Sequence, residues 1–135
     1  MSVFVDASAF YALINKNDIL HLKAREISEG LSEKGEILIT SNYTLAEAFT
    51  VIRSRMGYDT AEKFINEIKK NPLQIIWIDE AMHIMGMEIF LEKREPMDLS
   101  FFDCVDCALM KVLNIERAFS FDRHFKALGI EVIEN

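Results

Sequence analysis

Short apolar runs recur along the chain at 3–5, 37–39, 75–78, 118–121 and 132–133, and Ser120 is the one polar residue that interrupts them. Runs of this length suit strands buried on both faces of a sheet. Between them the apolar residues follow helical spacing: Ala24, Ile27 and Leu31 share one face, Leu45, Ala48, Phe49 and Ile52 another, and Phe64, Ile65 and Ile68 a third. Strand alternating with helix predicts one α/β domain over residues 1–135, built on a mainly parallel sheet with helices on both faces. Helices are expected over 44–56 and 60–70, parted by Gly57, and over about 80–93 and 100–114, with Pro72 and Pro96 at helix ends.

Composition narrows the class. At 135 residues and 50% hydrophobic, the chain can bury one core and has no room for a second domain. A formal charge of -7 argues at first sight against a partner as negative as nucleic acid. Two cysteines, and a start at Met1 without a basic and apolar leader, predict a cytoplasmic protein with reduced thiols. The longest apolar runs are of strand length, so no membrane span is expected.

Ligands of open α/β sheets bind at the carboxyl ends of strands, near the point where strand order reverses. Asp6 ends the first strand and Asp122 the fourth, and each leads directly into a helix. Their carboxylates meet only if those strands are neighbours. An Asp between strand and helix is ordinarily an N-cap, and Asp79, which follows Trp77-Ile78 with the same grammar, shows that position alone cannot separate the two roles. Glu47 lies in an apolar helical stretch, where a solvated side chain is the ordinary alternative. Asp103 and Asp106 stand three apart in an otherwise apolar helix and share a face, so they repel unless that face opens to water or a cation neutralises it.

Carboxylates without a His or Cys cluster favour a hard ion, Mg²⁺ or Mn²⁺, over zinc. Such ions suit phosphoryl chemistry, and they answer the charge objection, because an acidic pocket filled by divalent cations attracts phosphate. Arg53, Arg55, Lys69, Lys70, Arg123 and Lys126 are then candidates to hold a nucleic-acid backbone if they cluster in space. His124, at a helix start after Asp122-Arg123, is read as a packing or surface residue rather than a general acid. His21 and His83 receive no role. Cys104-Val105-Asp106-Cys107 has C-x-x-C spacing but falls inside a helix, without the strand-then-turn placement of redox motifs, and is read as structural. Met82, Met85, Met87, Ile89 and Phe90 crowd one helix more densely than a single buried stripe requires; core packing is the first reading and an interface the second.

Together, Val3-Phe4-Val5-Asp6-Ala7-Ser8, Thr44-Leu45-Ala46-Glu47, Leu99-Ser100-Phe101-Phe102-Asp103-Cys104 and Phe119-Ser120-Phe121-Asp122-Arg123-His124-Phe125 resemble the PIN-domain family over essentially the whole chain. They are most similar to the toxin ribonucleases of VapBC toxin–antitoxin pairs. The resemblance implies a five-stranded parallel sheet in order 3-2-1-4-5, which sets strands one and four side by side. It also implies catalytic, metal-holding acids at Asp6, Glu47, Asp103 and Asp122, hydroxyls near the metal at Ser8 and Ser120, and a further second-site or water-mediated contact at Asp106. Asp79 matches no catalytic position. The implied activity is Mg²⁺- or Mn²⁺-dependent hydrolysis of RNA, leaving 5′-phosphate and 3′-hydroxyl ends. The implied partners are a VapB-like antitoxin, which sets an Arg or Lys among the acids, and a second copy of the chain in a homodimer.

Alternatives remain. A haloacid-dehalogenase-like phosphatase would need an acid where Ser8 stands, and a receiver domain would need an acidic pair near strand one and a Lys after its last strand. A housekeeping PIN nuclease of RNA processing or decay, or a non-catalytic PIN-like scaffold binding RNA or protein, is also consistent with the motifs.

Overall fold

The computed structural model describes residues 1–134. Five parallel strands, β1 (Ser2–Val5), β2 (Ile37–Ser41), β3 (Gln74–Ile76), β4 (Arg117–Phe119) and β5 (Glu131–Ile133), form one sheet in the order β3-β2-β1-β4-β5. Parallel pairing demands a crossover between successive strands. These are supplied by α1 (Ala7–Ile14), α2 (His21–Glu33), α3 (Asn42–Met56), α4 (Tyr58–Lys70), α5 (Glu80–Glu92), α6 (Phe101–Val112) and α7 (His124–Ala127). The strand order is the one the family resemblance implies, and it makes β1 and β4 neighbours, with Val5 opposite Phe119.

The alternation of side chains along β1 builds two cores. Val3 and Val5 pack with Phe119 against the buried faces of α1 to α4, and Phe4 packs with Ile39 and Ala118 against Leu109, Met110 and Phe125 of α6 and α7. The predicted stripes Ala24, Ile27, Leu31 and Leu45, Ala48, Ile52 are buried, whereas Phe49, Ile65 and Ile68 are only partly so. Gly57, at φ 93, closes α3 and lets α4 begin at Tyr58, as expected of the residue parting two helices. Among the described residues, no helix is long and apolar enough to cross a membrane. Cys104 and Cys107 are free thiols buried within α6.

Two strands are shorter than their apolar runs. β3 stops at Ile76; Trp77 is 74% exposed, and the Ile78 N–H donates to Asn42 Oδ1 at 2.7 Å instead of to a neighbouring strand. β4 stops at Phe119, after which Phe121 N–H donates to Ser8 Oγ (2.9 Å) and Asp122 N–H to Ser120 Oγ (3.0 Å). In both places side chains take over from the ladder. The helix expected over 100–114 ends at Val112, and Asn114 turns the chain at φ 55.

The methionine-rich α5 divides between core and surface. Met82, Met85 and Ile89 pack inward, while Met87 and Phe90 are exposed beside Ile84 and Leu91. α5 lies close against α6 at Gly86, where a Cβ would stand 2.7 Å from Val105 Cγ2 and 3.0 Å from Val105 Cα. We expect Gly86→Leu to lower stability by about 1–3 kcal/mol through overpacking, despite the roughly 1 kcal/mol of helix propensity gained on leaving glycine. Urea denaturation measures this, and an unchanged midpoint would mean that the two helices part without cost.

Candidate active site

Asp6 continues β1 past its last paired residue and caps α1. Its Oδ2 accepts from Ser8 N–H (3.3 Å), Ser8 Oγ (2.7 Å) and Ser120 Oγ (2.9 Å). The capping and the functional readings therefore hold together: a helix N-terminus and two hydroxyls fix one oxygen of a carboxylate that is 3% exposed. Asp79 does only the first of these things. It caps α5 through Met82 N–H at 2.8 Å and is solvent-exposed.

Asp103 and Asp106 occupy the first turns of α6 on one inward face, and both are buried. Asp6, Asp103 and Asp106 each bring a carboxylate oxygen within 4.8 Å of the others. Asp106 is tied on both oxygens, Oδ1 accepting from Ser41 Oγ at 2.6 Å and Oδ2 from Thr44 Oγ1. Ser41 Oγ also caps α3 by accepting the Thr44 N–H at 2.9 Å. Sequence reasoning missed Ser41 and Thr44, because no spacing rule links the start of α3 to α6. Asp103 Oδ2, by contrast, is buried without a hydrogen-bond partner.

Asp122 enters from the chain leaving β4, its Oδ1 accepting the His124 N–H at 2.9 Å. Asp103, Asp122 and His124 form a second group whose ligand atoms lie within 4.8 Å of one another. His124 is 9% exposed and stands among three carboxylates. Its Nε2 meets Asp98 Oδ1 at 3.2 Å, while Nδ1 stands 3.1 Å from Asp122 Oδ1 and 3.7 Å from Asp103 Oδ2. The packing reading agrees with its burial, but no sequence signal pointed to its partner Asp98, which lies 26 positions earlier, outside every motif.

Glu47, half-buried on α3, is pushed up to about 7 by burial and then by the charges of Asp6 and Asp122. Burial likewise raises Asp106 to about 8, with Ser41 and Thr44 acting against it, and raises Asp6 and Asp103 above the usual carboxylate range. The Tyr11 phenol on α1, which no motif pointed to, is raised by burial and then by Glu47 and Asp6. The four predicted acids thus share one field at the carboxyl ends of β1 and β4. An oxygen-rich donor set with an unsatisfied buried carboxylate oxygen fits a hard divalent cation. The predicted basic residues scatter. Arg123 pairs with Asp98 and Lys126 with Glu134, while Arg53 and Lys69 line one cleft between α3 and α4.

The PIN-domain family model matches residues 3–131, and the chain belongs to that family. Its relatives include the 23S rRNA-specific endonuclease VapC20 of Mycobacterium tuberculosis, 27% identical over 127 residues that make up 94% of each chain. The crystal structure of M. tuberculosis VapC20, described as a sarcin–ricin loop cleaving toxin, aligns with a TM-score of 0.87 at 26% identity, covering 98% of this chain and 99% of that one. VapBC2 from Rickettsia felis, solved with a fragment of promoter DNA, shares the fold at a TM-score of 0.76 and 15% identity over 98% of each chain.

Two expectations follow from the electrostatics. Glu47 moves from an ordinary 4.5 to about 7 on folding, so its contribution to stability is full below 4.5 and lost as pH rises through 7; Asp106 carries the loss on to about 8. In EDTA the protein should therefore melt lower at pH 8 than at pH 5.5, Mg²⁺ or Mn²⁺ should restore more at pH 8, and Asp103→Asn should flatten the profile. A metal-free melting temperature that climbs over this range would contradict the assignment. Thr44→Val, which strips a donor from buried Asp106, should cost about 1–3 kcal/mol in chemical denaturation.

Proposed function

We propose that this protein is a metal-dependent endoribonuclease, acting as the toxin of a type II toxin–antitoxin pair. Two overlapping groups, Asp6 with Asp103 and Asp106 and Asp103 with Asp122 and His124, share Asp103, whose buried Oδ2 has no hydrogen-bond partner, and this overlap carries the proposal. The naming of a 27%-identical relative as a ribosomal RNA endonuclease supports it.

Mg²⁺ or Mn²⁺ would be held by Asp6, Asp103 and Asp122, with Glu47 at the border of the site. When bound, such an ion supplies Lewis acidity and lowers the pKa of a coordinated water. Ser8 and Ser120 orient Asp6 by occupying one of its oxygens and leave the other to face the site. Asp106, with a hydroxyl on each oxygen, locks α6 to the start of α3, and would reach an ion only through water. Glu47, near 7, is tuned to accept a proton at neutral pH. Hydrolysis then leaves 5′-phosphate and 3′-hydroxyl ends.

RNA loops present splayed bases that stack on aromatic rings. Half-buried Tyr43 and exposed Phe102, with ring centroids 6.2 Å apart, flank Glu47 and Asp103 and offer such a surface. The same acids would accept an antitoxin Arg bidentately in place of metal, and the exposed Ile84, Met87, Phe90 and Leu91 of α5 provide apolar surface for a homodimer. The free thiols of Cys104 and Cys107 are at home in the reducing cytoplasm.

Purified protein offered a labelled RNA pool, including a 23S rRNA fragment with its sarcin–ricin loop, should cut with Mg²⁺ or Mn²⁺ and not with EDTA, and should leave 5′-phosphate ends. Asp6→Asn, shown to be folded, should fall to background. Ser120→Ala, which removes one orienting hydroxyl, should lose roughly 10- to 100-fold. Cutting that survives EDTA and leaves cyclic phosphate ends would overturn the proposal.

A further inference from the structure

Two buried polar atoms in this molecule face each other and do not bond. His124 Nδ1 and Asp103 Oδ2 lie 3.7 Å apart, and neither has a hydrogen-bond partner. Leaving such atoms unsatisfied costs stability unless a third atom sits between them. Asp122 Oδ1 flanks the same gap, 3.1 Å from Nδ1. One ligand atom from each of Asp103, Asp122 and His124 lies within 4.8 Å of the others, close enough for one cation to meet all three. The opposite edge of the ring explains the poise of Nδ1. Nε2 meets Asp98 Oδ1 at 3.2 Å, and Asp98 is held in turn by the Arg123 guanidinium at 2.8 Å. A carboxylate that takes the Nε2–H leaves Nδ1 with its lone pair, the arrangement that outer carboxylates impose on metal-binding histidines.

We infer that His124 is itself a metal ligand, placing an imidazole nitrogen beside Asp103 and Asp122 and making the site take Mn²⁺ in preference to Mg²⁺. Both ions prefer oxygen ligands, but Mg²⁺ is a hard ion that holds to them, whereas Mn²⁺, a first-row transition metal, tolerates one imidazole among carboxylates at less cost. The inference rests on the metal-dependent reading of the acid site and adds to it a residue that the acids alone do not call for. Asp98 is then a positioning residue, holding the ring from outside the site.

The test uses tag-free protein and Mn²⁺, read by electron spin-echo spectroscopy and by competition with Mg²⁺. The bound ion should show nitrogen modulation that changes on ¹⁵N-histidine labelling. His124→Gln should abolish that modulation and weaken Mn²⁺ at least about tenfold while changing Mg²⁺ little. Asp98→Ala, at an exposed position, should weaken Mn²⁺ by roughly tenfold. If His124→Gln does not fold, replacing His21 and His83 together leaves His124 as the last of the three imidazoles, and the modulation must persist. Mn²⁺ bound in an Asp6-dependent manner without nitrogen modulation overturns the role of His124 and leaves the acid site standing. No Mn²⁺ binding at all overturns both.

Discussion

Concentrating negative charge inside a protein is the constraint around which this molecule is arranged. Asp6, Asp103 and Asp106 are almost fully enclosed, and Asp122 and Glu47 stand at the margin of the same field. Carboxylates so placed repel one another and lose their hydration. The fold answers with partial positive charge. Asp6 sits at the N-terminus of α1 and Asp103 in the first turn of α6, where backbone N–H groups favour an anion.

Hydroxyl groups complete the answer and join the sheet to its helices. Ser8 and Ser120 donate to Asp6 while accepting backbone N–H groups from the segment that leaves β4. Ser41 and Thr44 do the corresponding service for Asp106, and Ser41 also starts α3. Ser8, Ser120 and Ser41 each orient an acid and also take up a backbone N–H at the end of an element, while Thr44 holds the second oxygen of Asp106. The compensation is incomplete at Asp103, and the remaining deficit is the signature of a site built to receive a cation.

Much of this was legible in the residues. Short apolar runs, broken only at Ser120, marked all five strands because a parallel sheet covered on both faces needs apolar residues on both sides. Strand ends were less legible at Ile76 and Phe119, where Asn42, Ser8 and Ser120 capture the backbone and end the pairing before the apolar residues do. The acids stood out because their motifs are local. Ser41, Thr44 and Asp98 did not, since what matters about them is contact with residues 65, 62 and 26 positions away. His124 reads from the sequence as a packing or surface residue, and it is buried; its nearness to the Asp103 carboxylate was not legible, because that depends on how α6 packs beside the chain leaving β4.

That pairing of the first strand with the fourth has a consequence for how the protein is made. Phe4 and Val5 align with Ala118 and Phe119, so Asp6 receives its Ser120 hydroxyl, and Asp122 joins it, only after nearly the whole chain has left the ribosome. A nascent chain ending before β4 carries Asp6, Glu47 and Asp103 without the segment that completes their enclosure. The acid cluster is therefore among the last parts of the molecule to be completed, and a chain cut before β4 lacks both the Ser120 hydroxyl and the Asp122 carboxylate.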